Sequence, residues 1–192
     1  MTMQVKDAFI LEKEVYSMIV ASSQIPFHPT DYGITPMDRC TACWTGYWCD
    51  YGVSQQQMVL KNLYINSKDE NYPEIHGVVP LENTRNYMGH HAYKNVNLPL
   101  DYTGKILAGK DFIEAFLWYP AWSYRVLQEF RFDHGKLAET VDYSKEAQKV
   151  RMEIKKRENN KEESEEISSL IQKIFPQELR DKMWWNKIRI GI

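Results

Sequence analysis

The sequence predicts an α+β protein. An antiparallel, hairpin-rich body of β-meander type covers about residues 1–143, and a helical segment at 144–192 packs on it as an appendage of the same domain. Three observations carry this prediction. All but three of the 25 aromatic residues (Phe175, Trp184 and Trp185) precede residue 145, and aromatics suit strands. The balance of charge changes at the same place: residues 1–144 hold 12 basic and 17 acidic side chains, net −5, while residues 145–192 hold 12 and 9, net +3. Two pairs of alternating runs, each joined by a short polar link, mark hairpins.

Taken in chain order, Trp44 to Val53 is aromatic and β-branched, and SQQQ at 54–57 separates it from MVLKNLYI at 58–65. Strict alternation places Val59, Lys61, Leu63 and Ile65 on one face and Met58, Leu60, Asn62 and Tyr64 on the other. Residues 66–95 are polar and punctuated by Pro73, Gly77, Pro80 and Gly89, the pattern of a long irregular loop. NVNLPLDYTGKILAG suggests one or two further strands, with Pro99 at an edge. KDFIEAFLWY at 110–119 predicts a short helix stopped by Pro120. YRVLQEFRF at 124–132 and LAETVDY at 137–143 form the second hairpin, turned at Asp133–Gly135. Ser144 is the expected N-cap of a helix whose apolar stripe is Ala147, Val150 and Ile154. A stronger amphipathic helix follows at Ile167, Leu170, Ile171, Ile174 and Phe175, and Pro176 opens a last one carrying Leu179, Met183 and Trp184.

The three cysteines all fall in CTACWTGYWC, Cys40 to Cys49. A zinc site on Cys40 and Cys43 is one reading, because a C-x2-C pair in a tight turn can aim two thiolates at one centre. A second close pair is missing. If residues 43–53 run extended, Cys43 and Cys49 lie roughly 20 Å apart along the chain, too far for two Zn–S bonds of about 2.3 Å. The favoured expectation is therefore buried thiols in an aromatic sheet, with no metal and no cofactor. Gly46, between Trp44 and Trp48, then makes room for a crossing side chain or marks a bulge.

Other chemistry has few footholds. No G-x-S-x-G, Walker-type or dinucleotide glycine motif occurs. An enzymatic alternative places His76, His90 and His91 with Glu74 in the 66–95 loop as a proton shuttle. The basic run KVRMEIKKRE is interleaved with glutamates and continues as KEESEE, so a solvated helix face is expected rather than a nucleic-acid arm. The net charge of −2 supplies no field for nucleic acid or an anionic membrane. No apolar run approaches the roughly 18 residues of a membrane span, and the first residues lack a signal-peptide pattern.

The tryptophans raise the question of a surface. Trp184 and Trp185 are adjacent and cannot both face inward from one helix, so with Met183 they form a candidate interface anchor. The W-x-G-Y-W run followed by K-N-L-Y-I resembles strands of small bacterial β-meander proteins, a resemblance that implies no activity. The expectation is a soluble, cytoplasmic, non-enzymatic protein that binds another protein. An immunity-type or inhibitor protein fits its size, acidic body and aromatic content. Neither nucleic acid nor membrane is an expected partner.

Overall fold

The computed structural model describes residues 4–82, 89–114, 121–157 and 172. Among them the secondary structure is mostly strand, with one α-helix toward the C-terminal end, the coarse class that the aromatic distribution predicts. Backbone proximity divides the chain into two compact units. The first takes Met1–Ser17, Ile25–Thr103 and Phe132–Leu137; the second takes Met18–Gln24, Gly104–Arg131 and Ala138–Ile192.

The first unit opens with a hairpin that the sequence analysis did not anticipate. Strands β1 (Ala8–Leu11) and β2 (Glu14–Ala21) pair antiparallel, Leu11 opposite Glu14. The two-residue turn between them, Glu12–Lys13, has φ of 52° and 83°. Two successive left-handed residues match the twist of the flanking strands. Strand β3 (Tyr47–Ser54) runs parallel to β1 and antiparallel to β4 (Gln57–Ile65). The β3–β4 hairpin is the predicted one, closed at Gln55–Gln56 with φ of 50° and 64°.

The faces of β4 differ from the alternation expected. The register steps from Asp50↔Asn62 to Tyr51↔Leu60, leaving Lys61 as an extra residue. This bulge shifts the phase by one. Met58, Leu60, Leu63 and Ile65 therefore share the face carrying Val53, Tyr51, Cys49 and Tyr47, and all four are fully buried. Burying a side chain of that size contributes about 1.5–3 kcal/mol, so the bulge gathers four large contributions onto one side. Phe132 packs edge-on against Phe9 and Tyr102, each pair with centroids 5.8 Å apart.

Residues 66–95 are not one irregular loop. They contain β5 (Leu81–Glu82) and β6 (His91–Tyr93), paired with each other, and β6 pairs with β4. A bridge joins Ile75 to Val78 across His76–Gly77. These pieces are too short to show a period. Strand β7 (Leu98–Pro99) pairs with β4 at Val59 and Leu60.

In the second unit, the end of β2, β8 (Gly104–Phe112), β9 (Tyr124–Asp133) and β10 (Lys136–Asp142) follow the order β10–β9–β8–β2. Ser22 N–H donates to the Lys105 carbonyl, and Lys105 N–H to Ser22 Oγ, each at 2.8 Å. Strand β8 runs on through Lys110–Phe112, so the first three positions of the helix expected at 110–119 are extended instead. Positions 115–119, with Trp118, lie outside the described residues.

Helix α1 (Ser144–Arg157) buries Ala147 and Val150 in a core with Ile19, Leu107, Trp122, Tyr124, Leu127 and Tyr143. Ser144 is not its cap. The Ser144 hydroxyl accepts from Leu127 N–H at 3.1 Å, while the Asp142 carboxylate takes Ser144 N–H at 2.8 Å. A residue two positions earlier thus satisfies a first-turn donor. The helices expected at 164–175 and beyond Pro176, with Met183, Trp184 and Trp185, lie outside the described residues. No helix among the described residues is long and apolar enough to cross a membrane.

Candidate binding surface

The cysteine stretch divides at Tyr47. Before it the chain is turned, not extended: Cys43 N–H donates to the Cys40 carbonyl at 3.2 Å, and Gly46 N–H to the Cys43 carbonyl at 3.1 Å. The extended-chain separation of Cys43 and Cys49 is therefore corrected. Gly46 permits the turn, with φ of 76°, and a Cβ there would stand 2.6 Å from the Met37 backbone. It makes room for a crossing main chain rather than a side chain.

All three cysteines are free thiols, Cys43 and Cys49 buried. The carboxylate of Asp7 accepts the Cys49 N–H at 2.8 Å. Burial pushes the Asp7 carboxyl up to about 6, with the Cys49 hydrogen bond opposing and Asp50 adding repulsion. Burial likewise raises the Cys43 and Cys49 thiols, and Asp7 repels the thiolate of each. Thiols held protonated are poor nucleophiles. Among the described residues, no group of three or more His, Cys, Asp or Glu stands close enough to hold a metal ion.

The three histidines meet different partners. His76 occupies the left-handed turn at φ 49°, and its Nδ1 donates to the Val96 carbonyl at 2.9 Å. Glu74 is exposed. His90 Nδ1 lies 3.3 Å from an Arg39 guanidinium nitrogen. The His91 ring stacks on Tyr72 at 3.6 Å, and burial, the largest influence, lowers its pKa. His90 and His91 have adjacent positions and different partners, as neighbours along an extended chain must.

Among the described residues Trp44 is an exposed aromatic, 61% accessible, on a surface that also exposes Val79 at 68% and Leu81 at 65%. The turn beneath it is clamped from the N-terminal side. Gln4 Nε2 donates to the Thr41 carbonyl at 2.7 Å, and Gln4 Oε1 accepts Trp44 N–H at 3.1 Å. Val5 N–H donates to the Ala42 carbonyl at 2.8 Å. Thr45 Oγ1 donates to the Tyr47 carbonyl at 2.7 Å, and Cys43 anchors the turn in the interior at 4% exposure. One face of the turn is thus apolar and buried, its polar groups are bonded, and the indole projects outward. The other described tryptophans are engaged. Trp48 stacks on Tyr64 with centroids 4.7 Å apart and an 8° interplanar angle, and Trp122 is buried.

Sequence reasoning placed Trp44 in a strand and gave Gln4 no role. A glutamine clamping a turn forty positions later leaves no local signal. Comparison of the chain with protein-family models, with curated proteins and with solved structures finds no match.

Proposed function

We propose that the protein is a non-enzymatic binding protein of the immunity or inhibitor type, which engages a partner protein through Trp44. The single observation that carries this reading is the exposed indole held on a turn fixed by Gln4 and Val5. A tryptophan displayed on a pre-ordered turn brings large contact area without an ordering cost on association, and tryptophan is enriched among residues that dominate binding energy. The net charge of −5 over residues 1–144 adds steering toward a basic partner.

The test is affinity capture from the native cell extract with the wild-type protein and with Trp44→Ala. The expected result is a protein retained by the wild type and lost by the variant, with binding at least about 30-fold weaker on purified components, the effect of a dominant interface residue. Stability should stay within about 0.5 kcal/mol, as for other exposed substitutions. Equal recovery by both forms would overturn the reading.

A further inference from the structure

The second unit carries a basic depression that the Trp44 surface does not explain. It has a volume of about 460 Å³ and lies along one stripe of α1, between that helix and residues 113 and 125. Four of its lining side chains are cations, Arg125, Lys145, Arg151 and Lys155, and none is a carboxylate. Lys145, Gln148, Arg151 or Met152, and Lys155 recur at helical spacing, so they occupy one face of α1.

Arg151 forms the inner part. It is 9% exposed, and its Nη1 donates to the carbonyls of Tyr124 at 2.6 Å and Trp122 at 3.5 Å. Carbonyl dipoles hold the guanidinium in place without cancelling its charge. Burial, followed by repulsion from Arg125, lowers its pKa. Both effects mark a cation that gains from an incoming anion. The sequence had placed Arg151 in a solvated basic face. Its position four residues after Ala147 instead puts it on the buried side of the helix.

The geometry points to a binding site for a small polyphosphate at this depression. Arg125, Arg151 and Lys145 take the phosphoryl oxygens, which planar guanidinium forks match in pairs. The volume falls within the range of small-molecule pockets, about 300–1,000 Å³. Met152, half exposed, and Ile113 supply an apolar wall beside the cations. That wall offers a nucleoside or another apolar group a place to lie, whereas free pyrophosphate would use the cations alone.

Isothermal titration of the full chain at low ionic strength with ADP, inorganic pyrophosphate and adenosine tests the site. ADP and pyrophosphate should bind saturably and adenosine should not. Arg125→Ala and Lys145→Ala, both exposed, should weaken binding about tenfold or more, and added salt should weaken it further. Lys149→Ala, on the same helix but outside the lining, should leave it unchanged. ADP binding more tightly than pyrophosphate assigns the wall to a nucleoside; equal affinity assigns the site to free polyphosphate. No saturable binding of either phosphate, or binding indifferent to both Arg125→Ala and Lys145→Ala, would overturn the proposal.

Discussion

At the scale of single residues, Asp7 shows how a group can be well placed and still oppose folding. Its carboxylate receives the Cys49 N–H, yet burial raises its pKa from 3.8 to about 6. Below pH 3.8 the group is protonated both folded and unfolded and has no effect. Between 3.8 and about 6 the unfolded chain releases its proton first, so stability falls as pH rises. Above about 6 the loss is complete, on the order of 2 to 3 kcal/mol. Asp7→Asn keeps an oxygen for the Cys49 N–H and removes the titration. The expected outcome is a higher melting temperature at pH 7 and no gain near pH 3.5, read by thermal unfolding at both values. An equal gain at both would mean that the carboxylate's charge is not the cause. None of this is legible in the local sequence, because the stretch VKDAF says nothing about which backbone amide, 42 positions on, reaches its carboxylate.

At the scale of elements, three of the described hairpins close on two-residue turns that share one device and differ in how plainly they announce it. Each turns on two consecutive left-handed residues: Glu12–Lys13, Gln55–Gln56 and His134–Gly135. The last was legible, since Asp133 and Gly135 are turn residues of known preference. The second was placed only approximately, by the polar run SQQQ. The first was missed, because Glu and Lys carry no turn signature. Non-glycine residues in this region cost roughly 1–2 kcal/mol each. Replacing Gln55–Gln56 by Asn–Gly, the favoured pair for such turns, should therefore stabilise the protein by about 1 kcal/mol. A higher urea midpoint at unchanged slope checks this; a lower midpoint would show that the glutamine side chains contribute more than the turn strain costs. The same scale explains the face of β4. Alternation read from MVLKNLYI assumes an unbroken ladder, and Lys61 interrupts it. The pattern M-x-L-x-x-L-x-I is what a bulged strand with four core positions looks like, and a period-2 count cannot find it. Arg151 was misjudged for the converse reason: its charge was weighed and its place in the Ala147 stripe was not.

At the scale of the whole molecule, strands adjacent in space are often distant in sequence. Lys105 bonds Ser22 across 83 positions, and β1 lies beside β3 rather than only its hairpin partner. Such pairings require long loops to close before they are rewarded, which slows folding. Refolding after dilution from urea should accordingly fall in the millisecond-to-second range, measured by stopped-flow fluorescence; microsecond folding would imply a more local topology. The β-rich class and the single described helix were legible because composition and charge change together near residue 145. The parallel β1–β3 pairing was not, since parallel neighbours without a connecting α-helix leave no mark on either strand.

The clamp of Gln4 on Thr41 and Trp44 reaches beyond stability. The display of the indole is governed from the opposite flank of the cysteine stretch, by an amide that offers one donor and one acceptor at once. Deamidation of Gln4 would replace the donor with an anionic oxygen facing the Thr41 carbonyl, and the chain would stay folded while its aromatic display loosened. Purification tags are accordingly best kept away from this flank, and Gln4→Glu should raise the mobility of the Trp44 indole, read by tryptophan fluorescence anisotropy, while the far-ultraviolet spectrum stays unchanged.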